Sequence, residues 1–189
     1  MDDLTILNDQ LKRMRGMNKF YHSQFLNDVR YFFLLTSIFL VILQYNIKIS
    51  YLLPLVSLFG SVMLAFHAYY LIFSRHYSEF LEKKINKILN KELIITHKLE
   101  NSYFFPIKDR KIVVAKLGKD FSWFSFVTLF ITFYGILVYS YGMYLVYNEL
   151  QNSYYVFIVS VFTFFTLSIG YWWFVKNVGE KRLRENYEQ

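Results

Sequence analysis

FSWFSFVTLFITFYGILVYSYGMYLVYN, residues 121–148, contains no Asp, Glu, Lys, Arg or His. An uncharged, mostly apolar run longer than about 18 residues reads as a membrane-spanning helix, because at about 1.5 Å per residue it crosses about 30 Å of hydrocarbon. Within it Ser125, Thr128, Thr132, Gly135, Tyr139 and Gly142 recur at alternating steps of three and four, which gathers small or hydroxyl-bearing groups on one face. Phe, Leu, Ile and Val cover the other faces. The small-residue face is expected either to contact another helix or to line a pore.

Three further runs share this character. Residues 154–175 are uncharged and end in Tyr171, Trp172 and Trp173, which suit a membrane–water interface. Residues 31–47, between Arg30 and Lys48, approach the lower length limit for a span. Residues 49–74 complete the set, with Pro54 near the start, where a missing N–H costs little, and Ser57, Ser61 and Ala65 at the four-residue spacing that lets helix backbones approach. The turns near Lys48 and at 148–153 are short. The expected fold is therefore all-α and polytopic, with four transmembrane helices in two hairpins and amphipathic cytoplasmic helices.

The polar segments complete a five-part plan. Residues 1–30 carry Leu4, Leu7, Leu11, Met14, Tyr21 and Phe25 on a heptad-like stripe, interrupted at Asn18 and weakened at Gly16. This predicts an amphipathic helix, lying on lipid or packed on a neighbour. Residues 31–74 form the first hairpin. Residues 75–120 form a cytoplasmic insert, opening as a continuation of the second span with Leu81, Ile85, Ile88, Ile95 and Leu99 at helical spacing and Lys and Glu on the other face. After Pro106 the pattern supports either a short helix or an extended turn ending at Gly118, with Asp120 placed to cap the third span. Residues 121–175 form the second hairpin, and 176–189 a helical tail that frays.

Of the 21 Lys and Arg residues, all but Lys48 fall in 1–30, 75–120 or 176–189. The positive-inside rule then puts those segments and both termini in the cytoplasm. The opening residues lack the basic start and apolar run of a secretory signal, so the N-terminus is expected to stay on the mature chain. Abundant Ile, Lys, Asn, Phe and Tyr fit an AT-rich coding sequence, which favours a bacterium and hence an inner (plasma) membrane.

Chemistry is constrained mainly by what is missing. With no Cys there is no disulfide, thiol nucleophile or thiolate metal site. Neither HExxH, GxSxG, a glycine-rich phosphate loop nor paired intramembrane carboxylates occur. His67 lies within a span without a second His or carboxylate at ligand spacing, and reads as a packing residue. No catalytic, metal or cofactor site is expected, and coupled transport loses ground without an intramembrane charge. Lys83, Lys84, Lys87 and Lys91, with Arg13 and Arg15, are the candidate contacts for anionic lipid or a cytoplasmic partner. Glu79, Glu82, Glu92 and Glu100 interleave with the lysines, so a solvated face or lipid contact is favoured over nucleic acid.

Two resemblances attach to these residues. Arg15 and His22 enclose RGMNKFYH, similar in spacing to the Arg-to-His signature of the HEPN ribonucleases, which would imply a nuclease pair; the same residues also read as a basic juxtamembrane helix. The whole plan resembles small multi-span accessory and effector proteins of prokaryotic antiviral defence, the CRISPR type VI-B accessory proteins in particular. That resemblance implies a homo-oligomeric, non-enzymatic membrane protein that perturbs or permeabilises the inner membrane with a cytoplasmic protein or RNA–protein partner. The competing expectations are a small constitutive channel or carrier for an uncharged solute, and a non-catalytic assembly subunit of a larger membrane complex.

Overall fold

A computed structural model describes residues 3–103, 107–108, 111–112, 123–176 and 178–185. Its regular elements are α1 (Asp3–Leu43), a 3-10 turn (Ile47–Tyr51), α2 (Leu52–Leu89), α3 (Thr96–Tyr103), the strand pair β1 (Ile107–Lys108) and β2 (Lys111–Ile112), α4 (Trp123–Asn148), α5 (Ser153–Gly170), a π-helical turn (Tyr171–Val175) and α6 (Val178–Glu185). Helix dominates, and four helical stretches are long and apolar enough to cross a membrane: Asp3–Leu43, Ile47–Leu89, Phe126–Asn148 and Ser153–Val175. At about 1.5 Å per residue, α1 and α2 run to about 60 Å each, twice the hydrocarbon thickness. Each therefore carries an apolar part and a polar part on one unbroken helix.

Gly16 and Asn18 do not break α1, which runs through from the polar stripe into the first apolar run. A single interior Gly costs only about 1 kcal/mol against Ala, and nothing lies near enough to Gly16 to force a bend. The first turn is held by Asn46, whose side chain accepts from the Lys48 N–H at 3.1 Å. Pro54 falls in the first turn of α2, where its missing N–H has no intrahelical partner to lose.

The chain divides into two units, 1–25 with 67–131 and 26–66 with 132–189. The core of the first is Leu7, Leu11 and Met14 of α1 against Leu81 and Ile85 of α2, with Leu4, Met17, Tyr77, Phe80 and Ile94 around them. Tyr21 stacks on Tyr70 at 4.9 Å and lies 6.1 Å from the His67 ring. Two expectations for this unit need correction. The inner stripe does not run from Leu81 to Leu99: Ile88 is exposed in the last turn of α2, and Ile95 and Leu99, also exposed, lie beyond the end of that helix at Leu89. Asn90 takes the left-handed conformation (φ 50°), and the N–H groups of Asn90 and Lys91 return to Lys87 O and Asn86 O, the two bonds of a Schellman ending. The Asn86 amide then accepts from Leu93 N and Ile94 N and donates to Ile94 O, fixing the loop that follows. Glu82, expected on a solvated face, is among the most buried residues of the chain, at 1% exposure.

After α3 the chain is extended at 107–108 and 111–112, paired antiparallel with Ile107 opposite Ile112. Gly118 and Asp120 lie outside the described residues.

In the second unit the buried positions on α2 are Leu53, Pro54, Ser57 and Leu64, and Gly60 closes against the Phe32 ring. The close face is thus Ser57 and Gly60, not the predicted Ser57, Ser61 and Ala65; Ser61 is exposed and bonds back to Ser57 O at 2.8 Å. On α5 only Val159 is buried, while Phe157, Phe162, Phe164, Phe165 and Leu167 are exposed, as suits a helix surrounded largely by lipid.

Candidate functional site

The stripe on α4 resolves into three different contacts. A Cβ added at Gly135 would sit 3.8 Å from the Phe32 ring of α1, whereas one at Gly142 would come within 2.7 Å of Leu53 Cβ and Pro54 Cδ of α2. Tyr139 shares a hydrogen with Thr163 of α5 at 2.8 Å. Thr128 is half-buried and Thr132 is exposed; Ser125 belongs to α4, but its side chain lies outside the described ones. The buried seam is Ile131, Gly135, Val138, Gly142, Leu145 and Val146. It is the predicted stripe rotated by about one residue, retaining both glycines and shedding Thr132.

Three residues at this seam went unnoticed in the sequence. Thr36 of α1 is fully buried, and its hydroxyl lies 2.7 Å from Phe32 O and 2.7 Å from the Tyr134 hydroxyl of α4. Phe32 meets Tyr134 edge-on at 5.8 Å and covers Gly60 and Gly135. Phe32 and Thr36 lie one helical turn apart, the only signal that linked them. At the start of α5, Asn152 caps the helix through Tyr155 N at 3.0 Å and donates to the Tyr51 hydroxyl at 3.0 Å, and the Tyr155 hydroxyl donates to Tyr51 O.

The polar residues of the first unit form a network centred on Glu82. Arg15 donates to Glu82 Oε1 at 2.9 Å and to Thr96 Oγ1 at 2.7 Å. Glu82 Oε2 takes the His97 backbone N–H at 3.0 Å and its ring Nδ1 at 2.9 Å, so it satisfies an N–H of the first turn of α3 and fixes the proton of His97 on Nδ1. Burial alone would push the Glu82 carboxyl up. The hydrogen bonds from Arg15 and from the His97 backbone and ring outweigh it and hold the carboxyl below the usual range. Glu100 shows the opposite balance: burial raises it, only partly offset by Arg75, whose Nε lies 3.7 Å from Oε2. Sequence could have exposed Glu82, since it falls with Ser78, Leu81 and Ile85 at i, i+3, i+4 and i+7 on the buried stripe.

The basic candidates do not converge. Lys83 pairs with Glu79 one turn earlier, Lys84 sits 5.9 Å over the Phe80 ring, and Arg13, Lys87 and Lys91 are exposed. Arg15 is turned onto Glu82 and Thr96 instead. His22 is half-buried two turns along α1 from Arg15, a rise of about 10 Å. Among the described residues there is no group of three or more His, Asp or Glu placed to hold a metal ion.

No protein-family model, curated protein or solved structure matches this chain.

Proposed function

We infer that the protein is a non-enzymatic membrane protein that assembles with itself in the bacterial inner membrane and alters its permeability in concert with a cytoplasmic partner, as the antiviral accessory resemblance implies. The observation that carries the reading is that α1 and α2 each combine an apolar run with a charged run on one helix. The charged runs hold a packed core and the buried Glu82 network, so the polar part is a folded element that a partner in water can grip. In this reading the apolar runs form two hairpins, and the polar parts and both termini face the cytoplasm, in keeping with the distribution of Lys and Arg. The many exposed Phe, Leu and Ile side chains of α4 and α5 supply the surface for lipid and for further copies of the chain.

The test is the size of the detergent-purified particle together with dye release from liposomes. A closed oligomer that releases dye only when the cytoplasmic partner is added supports the proposal. Conduction by the purified protein alone would favour a constitutive channel or carrier. A silent monomer that co-purifies in fixed ratio with a different membrane subunit would favour an assembly role.

A further inference from the structure

We propose that the end of the first unit where α2 gives way to α3 is a docking surface for a protein that presents an acidic segment with large apolar side chains. The proposal rests on the reading that the polar part of the chain meets a partner in water, and it adds where contact is made and by what chemistry.

In residues 3–25 and 75–100, Ile6 and Phe20 aside, every exposed large apolar side chain lies between Ile88 and Leu99. The local structure explains the grouping. The Asn86 amide holds Leu93 and Ile94 beside the last turn of α2, which carries Ile88 and Leu89. Ile94 packs on the core, while its neighbours Leu93 and Ile95 turn outward and are 66% and 43% exposed. Single apolar side chains scattered over a surface mean little, but Ile88, Leu89, Leu93 and Ile95 fall within eight residues of one another on a surface otherwise rich in charge.

The charge around them is mostly of one sign. Residues 83–99 hold five Lys against one Glu. Lys83 pairs with Glu79, Lys98 pairs with Glu92, and Lys84 rests over the Phe80 ring. Lys87 and Lys91 are exposed and form no ion pair among the described residues. Lys87 also complements the dipole at the end of α2, a role that leaves Lys91 and the four apolar side chains unexplained. α1 runs antiparallel to α2, with Arg15 on Glu82 and Tyr21 on Tyr70, so its exposed Asp3 and Asp9 lie toward this end and still leave it net positive.

A surface of this kind is complemented by acidic groups set among apolar anchors. A second copy meeting it face to face would set lysine against lysine. Nucleic acid would answer the lysines and leave Leu93 and Ile95 uncovered. The uncharged run of α2 ends at Ser74, and from there to Leu89 the helix rises about 22 Å, which carries the surface clear of the bilayer for an α2 that leaves it along the normal.

The probe is a random peptide library displayed on phage and selected against the whole chain in phosphatidylcholine nanodiscs. Counter-selection uses two variants, Leu93→Ser with Ile95→Ser and Lys87→Gln with Lys91→Gln. All four side chains are exposed, so both variants should keep the circular dichroism of the wild type, and because they remove different chemistry a loss of helix in one leaves the other as the test. The expected consensus is rich in Asp and Glu with apolar anchors. As a synthetic peptide it should bind the wild type at least about tenfold more tightly than either variant, and added salt should weaken its binding to the wild type more than to the Lys87→Gln, Lys91→Gln variant. No peptide enriched over the variants, a consensus without acidic residues, or displacement of the peptide by single-stranded RNA at constant ionic strength overturns the proposal. A polarity-sensitive dye on Glu92→Cys, the sole thiol of the chain, reads the same surface without peptide and should report water. A blue-shifted emission that persists at every dilution places the surface against lipid, and one that fades on dilution places it against a second copy; either result overturns the acidic partner. Peptide binding by a chain that neither oligomerises nor releases dye fails the permeability reading and leaves this surface standing, whereas a chain that passes that test and selects no such peptide fails this surface alone.

Discussion

Replacing Gly142 with Ala is the sharpest test of the α4 seam. The added Cβ would lie 2.7 Å from both Leu53 Cβ and Pro54 Cδ, whereas carbon atoms pack best at about 3.5–4.0 Å. Neither neighbour can rotate away, since one is a Cβ fixed to its backbone and the other belongs to a proline ring. The helices must separate by several tenths of an ångström, an overpacking cost of about 1–3 kcal/mol. Better helix propensity returns at most about 1 kcal/mol. Gly135→Ala is the control: its Cβ meets Phe32 at 3.8 Å, an ordinary contact, so the same propensity gain comes without strain. Gly142→Ala should therefore unfold at lower denaturant than wild type, and Gly135→Ala at equal or higher denaturant. Reversible unfolding in mixed detergent micelles with added dodecyl sulfate, followed by far-UV circular dichroism, measures both. Gly142→Ala proving as stable as Gly135→Ala would refute the packing argument, and with it the reading of the seam as a helix contact.

Ser57→Ala should stabilise the protein by up to about 1–3 kcal/mol in the same assay, because the Ser57 hydroxyl is buried with no hydrogen-bond partner among the described residues. Asn152→Ala should cost about 1–2 kcal/mol, through loss of the α5 cap and the bond to Tyr51. Because the Glu82 carboxyl is held below its ordinary value of 4.5, its contribution to stability is present above that pH and fades as pH falls through the lower folded value. Amide exchange at α3 should therefore accelerate on acidification below about pH 4.5, and Glu82→Gln should remove that dependence while loosening α3 at neutral pH. Single cysteines at Lys87 and Glu149 report topology on the cysteine-free chain: a membrane-impermeant thiol reagent added to intact cells should label Glu149→Cys and not Lys87→Cys, and the reverse pattern would invert the orientation. Glu149 is chosen for its exposure, since the neighbouring Asn152 side chain is engaged by Tyr51 and Tyr155.

The reach of sequence reasoning differed between the two units for a physical reason. In water, an apolar stripe on a polar helix marks its buried face, and Leu7, Leu11 and Met14 were legible in that way. The ends of α2 and α3 were less so, because the stop at Leu89 depends on Asn90 entering the left-handed region, which Asn tolerates without demanding it. The place of Glu82 on the buried stripe was legible from its spacing to Ser78, Leu81 and Ile85, but its ion pair was not, because its partners are 67 and 15 residues away and no local pattern says that Arg15 and His97 will meet a carboxylate.

By itself the sequence determined the medium of this protein: uncharged runs of a given length have few other places to go than a bilayer, and the Lys and Arg residues bracket those runs. Only the tertiary structure decided which side of each apolar helix meets another helix. In lipid the surroundings are as apolar as the protein interior, so hydrophobic periodicity loses its phase, and the choice passes to close packing and hydroxyl bonds. Steric fit at Gly60 and Gly142 and the buried Thr36–Tyr134 bond picked out Ile131, Gly135, Val138 and Gly142 rather than the hydroxyl-rich line through Thr132.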